Sequence, residues 1–162
     1  MTRLIALGRA GAVVGGSLRI VAAFVPYDPK LVWLEGLYAA IDIGLLFGLI
    51  ALYLVHADRI GRSGLALFAL ALVAMASIIG PDAKSFGVDW YMAGASVFLA
   101  ALAGLSAVLL WKGVERGPAI FWHVAFGLGC LLMIGGHPML LTASGVSLGI
   151  GFLLFGITNK TS

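Results

Sequence analysis

Residues 34–56, LEGLYAAIDIGLLFGLIALYLVH, form an apolar run long enough to cross a bilayer, and Glu35, Tyr38, Asp42, Tyr53 and His56 punctuate it. At about 100° per residue these five side chains fall within an arc of roughly 60°, so the run reads as a helix carrying one polar stripe. A carboxylate facing hydrocarbon is expensive. The stripe is therefore expected to face other helices, a water-filled cavity or a partner charge.

The rest of the chain has the same character. Its 162 residues are 62% hydrophobic and 10% charged, with a mean hydropathy of +1.11, whereas soluble domains carry roughly 25% charged residues. The composition predicts an integral membrane protein, one transmembrane helical domain over 1–162 with no stretch left for a soluble module. The net charge of +3 comes from scattered basic residues, which excludes the clustered footprint of a nucleic-acid binder. Cys130 is the single cysteine, so no intramolecular disulfide can form, and a lone thiol in an apolar block reads as packing. Arg3 and Arg9 before an apolar run imitate a secretory signal. Arg19 interrupts that run and no small-x-small site follows, so a retained helix is expected.

Six blocks approach the roughly 20 apolar residues that a span needs: 4–25, 34–55, 63–80, 90–111, 118–136 and 138–157. The predicted fold is an all-α bundle of six transmembrane helices. Only His137 and Pro138 separate the last two blocks, where Gly135, Gly136 and Pro138 predict a turn. Orientation follows the side on which Lys and Arg collect. Arg3, Arg9, Arg59, Arg62, Lys112, Arg116 and Lys160 fall on one side and only Lys30 and Lys84 on the other, which predicts both termini in the cytoplasm of a bacterial inner membrane. Trp33 and Trp90 at the outer boundary and Trp111 and Trp122 near the inner one fit the interfacial belts. Gly11/Gly15, Gly44/Gly48 and Gly145/Gly149 each form G-x-x-x-G. These faces predict close packing inside the bundle, with a homo-oligomer or a partner membrane subunit as the alternative use.

Arg19 and Asp42 are the sharpest pair. Arg19 lies about 9 Å below the outer end of the first span and Asp42 about 10 Å below the outer start of the second, one depth on antiparallel neighbours. An ion pair is expected, either as a structural lock between the two helices or, with Glu35 and Tyr38, as the lining of an outward-facing pocket. In such a pocket Arg19 could hold an anionic head group or carboxylate, with Asp42 or Glu35 as proton acceptor. The connection before the fourth span places Asp82, Asp89, Trp90 and Tyr91 where they could form a lid. Asp89 could equally cap the following helix, and Pro81-Asp82 could simply turn the chain.

A second stripe, Arg116, His123, Cys130 and His137, recurs every seventh residue and drifts only about 20° per step. Tyr53, His56 and His123 would then mark a proton path towards the inner face, interrupted above by Leu45, Leu46 and Leu49. Glu115 enters only as a faint echo of Glu35, each standing ahead of a Phe-Gly-Leu triplet. The histidines show no metal-ligand spacing, so neither metal nor haem is expected, and no nucleophile elbow, P-loop or H-E-x-x-H motif points to catalysis or a cofactor. The sequence favours a membrane protein that binds or transports a small molecule or lipid head group, with possible coupling to protons. An accessory subunit of a membrane complex and an intramembrane lipid-modifying enzyme are the other two classes.

Overall fold

The computed structural model describes residues 2–26, 28, 30–78, 84–85 and 88–158. They form five helices: α1 (Thr2–Ala22), α2 (Val32–Ile78), α3 (Trp90–Trp111), α4 (Arg116–Gly135) and α5 (Pro138–Ile157). A two-residue antiparallel pair, β1 (Lys84–Ser85) and β2 (Val88–Asp89), leads into α3. All five helices are long and apolar enough to cross a membrane, as expected of an integral membrane protein.

The helix count corrects the expectation of six. The 47-residue α2 takes in the second and third expected spans with no loop between them. Straight, such a helix would be about 70 Å long, more than twice the hydrocarbon thickness of about 30 Å. It is instead folded at Gly61, whose backbone (φ 61°, ψ −160°) leaves the helical region. The rings of Tyr53 and Phe68 stack with centroids 4.3 Å apart, where a straight helix would separate them by about 22 Å. The two arms, 32–60 and 62–78, therefore run antiparallel. The stretch Arg59-Ile60-Gly61-Arg62-Ser63 contains one glycine and no proline. A single residue in a glycine-only conformation turns the chain, and helical bonding resumes at once on either side.

Contacts between neighbours run antiparallel all the way round. Gly15 meets Gly44 across α1 and the first arm, Gly94 meets Ala74 and Ile78 across the second arm and α3, and Leu99 reaches Gly129 across α3 and α4. Ser144 donates to the Ala125 carbonyl between α4 and α5 (2.8 Å), and Gly149 against Gly16 brings α5 back onto α1. The rods thus form a closed ring in chain order. Its centre is filled by fully buried side chains including Leu49, Leu52, Leu102, Trp122 and Phe152.

α1 packs backbone to backbone against both of its neighbours, the first arm and α5. A Cβ built on Gly44 would lie 2.8 Å from Gly15 Cα, and one on Gly15 would lie 2.8 Å from Leu45 N. Dispersion between two bare backbones holds this seam together where lipid supplies no hydrophobic drive. The glycine rows are therefore spent, at least here, on contacts within one chain.

Local signals fix the helix ends. The Asp89 carboxylate accepts the Met92 N–H at 3.0 Å and starts α3. Gly136, at φ 63°, ends α4, and His137 with Pro138 starts α5 immediately. The ring order collects Arg3, Arg9, Arg59, Arg62, Lys112 and Arg116 at one end, the cationic end, and Asp28, Lys30, Glu35, Lys84 and Asp89 at the other.

Gly61→Ala should lower the unfolding free energy by about 1–3 kcal/mol, the cost of holding a side-chain-bearing residue in this backbone region. Nothing lies within 4 Å of the added Cβ, so the loss would be purely conformational. Denaturant titration of the detergent-solubilised protein measures it, and an unchanged midpoint would mean that α2 is not folded at this residue.

Candidate functional site

A cavity of about 180 Å³ lies inside the ring, towards the end opposite the cationic one. Arg19 from α1, Asp42 from the first arm of α2, Met75 and Ile78 from its second arm, and apolar side chains from α3, α4 and α5 line it. Folding α2 at Gly61 is what sets Asp42 opposite Met75. Arg19 reaches the cavity alongside Gly145, whose missing side chain leaves room for the guanidinium; a Cβ there would sit 3.2 Å from it.

Arg19 and Asp42 are both partly buried, and both line the cavity. No direct ion pair joins the two side chains, whereas His56 and Glu115 meet at 3.2 Å. Space therefore remains between a five-donor guanidinium and a carboxylate acceptor, and a polar group of a guest could bridge them. The expected ion pair is replaced by two charges facing one void.

Glu35 and Tyr38 do not line this cavity. Glu35 is exposed near the start of α2, and Tyr38 is partly buried one turn further on. Of the four residues proposed as a lid, Tyr91 lines the cavity, Asp89 caps α3, and Trp90 is exposed beside it. Asp82 lies outside the described residues.

Tyr53, His56 and His123 are held by three different partners. Tyr53 stacks on Phe68. His56 Nε2 lies 3.2 Å from Glu115 Oε1, with both side chains buried. His123 Nδ1 lies 2.7 Å from Ser106 Oγ and 3.1 Å from the Ala119 carbonyl. The Ala119 carbonyl can only accept, so both contacts form together when Nδ1 of His123 carries the proton and Ser106 Oγ donates to the Ala103 carbonyl. No hydrogen bond among the described residues links the three into one path.

The Glu115 pair escaped the sequence reading because His56 and Glu115 belong to different spans. Glu115 adopts the left-handed conformation (φ 48°) at the turn before α4. Its side chain makes no cap to α4 and points to His56 instead. An acid just ahead of a helix start is ordinary, so Glu115 carries no local signal of a distant partner. Beside it lies a wider, open depression of about 330 Å³ lined by Glu115, Arg116 and Thr158 among others. Cys130, expected as a packing thiol, is exposed and borders the intramembrane cavity.

Comparison of the chain with protein-family models, with curated proteins and with solved structures returns no match. The functional reading therefore rests on this geometry alone.

Breaking the buried pair should cost more than losing a hydrogen bond. His56→Ala and Glu115→Ala should each destabilise the protein by about 1–3 kcal/mol, since either leaves its partner buried and unsatisfied. The double variant should lose clearly less than the sum. Unfolding midpoints of the four proteins test this; additive losses would show that the two side chains do not interact.

Proposed function

We propose that this protein is a binding protein of the membrane interior, which holds a small molecule or a lipid head group between Arg19 and Asp42. The observation that carries the reading is that both ionisable side chains line one cavity and stand unclosed towards each other. A pair serving only as a lock between two helices has no need of that space, and charges within a membrane are retained chiefly where ligands or ions are handled.

The topology proposed with it has six crossings. Each arm of α2 crosses once, and the cationic end faces the cytoplasm by the positive-inside rule. The cavity then opens towards the outer half of the bilayer. Between Asp42 and the cationic end, Leu49, Leu52, Trp122 and Phe152 are fully buried in the core. That packing favours binding from one side over passage through the protein.

Thermal or denaturant stability of the wild type, Arg19→Gln, Asp42→Asn and the double variant, each with and without a panel of lipids and small amphiphiles, tests the reading. A ligand at about one hundred times its Kd should raise the wild-type unfolding free energy by about 2.7 kcal/mol, and both single variants should lose that gain while folding near wild-type stability. Strong destabilisation of both single variants, rescue in the double variant and no ligand effect anywhere would identify a structural lock and overturn the proposal.

A further inference from the structure

The second half of α4 is its exposed half. Its buried residues, Pro118, Ala119, Trp122 and Ala125, all belong to the first half, and none of residues 126–136 is buried. Within that same stretch Phe126, Gly129, Cys130 and Met133 line the cavity, and their spacing puts them on one helix face. Cys130 is nevertheless exposed and Met133 is 69% exposed. A face that both lines a cavity and remains exposed is the rim of its mouth.

The opposite rim is α3. Met92 and Ser96 line the cavity from that side, and Met92 is 53% exposed. Towards the cationic end the two helices are tied by Ser106 and His123, and Leu99 touches Gly129 further along. On the other flank α5 stays against α1 through Gly145 with Arg19 and Gly149 with Gly16. The opening is thus a slot between α3 and α4 at the end away from the cationic residues.

The depth of this slot decides what it faces. Cys130 lies about 7.5 Å along the axis from the end of α4 at Gly135, which is within the hydrocarbon for a helix that spans the bilayer. The rim methionines are flexible apolar side chains suited to yielding around a chain. A guest from water would have to cross this apolar rim, whereas one dissolved in the bilayer is already there.

The size and charge of the cavity narrow the guest. About 180 Å³ is below the roughly 300–1,000 Å³ of sites that enclose a whole drug-sized molecule, so the space accommodates a head and the first carbons of a tail. Arg19 and Asp42 already balance in charge, and an additional ion would enter a low-dielectric space uncompensated. An uncharged head with one acceptor for Arg19 and one donor for Asp42 satisfies both.

Building on the binding role proposed above, we propose that the ligand is a single-chain amphiphile with an uncharged hydrogen-bonding head, such as a long-chain alcohol or primary amide. It enters sideways from the bilayer through the slot between α3 and α4. The head reaches Arg19 and Asp42, and the tail stays among the acyl chains.

Cys130 is the only cysteine, so the wild-type protein in phosphatidylcholine vesicles reports on its own rim. Its alkylation is followed with a neutral, membrane-partitioning maleimide and with a charged, water-confined one supplied on both sides. Leu131→Cys in a Cys130→Ser background, at a position one residue further along, 53% exposed and outside the cavity lining, calibrates labelling from the lipid phase at the same depth. The neutral reagent should label Cys130 and the charged one should not. Dodecanol or dodecanamide at about ten times its Kd should slow that labelling about tenfold and leave the Leu131→Cys variant unaffected, whereas dodecyltrimethylammonium should not protect.

Equal labelling by the charged reagent would overturn the slot, as would a silent Cys130 beside a reactive Leu131→Cys variant. Labelling from lipid without protection by either neutral amphiphile would overturn the ligand class. If any of these occurs while another ligand still stabilises the wild type but not Arg19→Gln, the binding role survives and only this inference fails. Loss of both results overturns the two together.

Discussion

The backbone of Gly61 is the constraint on which the rest of this structure depends. One residue in a conformation closed to other side chains folds a 47-residue helix back on itself, and that fold brings Asp42 and Leu45 to the same wall as Met75 and Ile78. Without it the first and second arms would share no face, the ring could not close in chain order, and the cavity would have no back. The turn also lies at the cationic end, between Arg59 and Arg62, where exposed backbone and charge can both meet water.

Two kinds of polar chemistry occupy the interior, and the packing treats them differently. At the cationic end, His56 and Glu115 meet directly and are buried together, so each satisfies the other and the pair ties the turn before α4 to the first arm of α2. At the opposite end, Arg19 and Asp42 face a void. The difference arises from the helices that carry them. α1 and the first arm touch backbone to backbone along Gly15 and Gly44, which brings their charged residues to one level, while the second half of α4 buries none of its residues beside the cavity. Close packing on one side of the ring and loose packing on the other together make the cavity.

The apolar stripe patterns carried the architecture a long way. Blocks of about span length, the glycine rows, the Gly-Gly-His-Pro turn and the Asp89 cap all depend on local residue chemistry or on one helix face, and each can be read without knowing the neighbours. The Arg19 and Asp42 levels were legible for the same reason, since depth along a helix is a matter of counting residues. Glu35 and Tyr38 were drawn into the same pocket only by sharing a stripe with Asp42. A stripe defines a face and not what stands opposite each of its turns, and the cavity lies beside one of those turns and not the others.

The sequence by itself determined that the chain belongs in a membrane, that its helices are antiparallel neighbours with small residues between them, and that charge sits inside. These follow from composition, run length and periodicity, which are properties of single segments. Only the tertiary structure decided that two expected spans form one folded helix, that Glu115 is the partner of His56, and that Arg19 and Asp42 border an opening. Each of these depends on one dihedral angle, or on which residues of different helices meet at one level, and such quantities are set by the packing of all the segments at once.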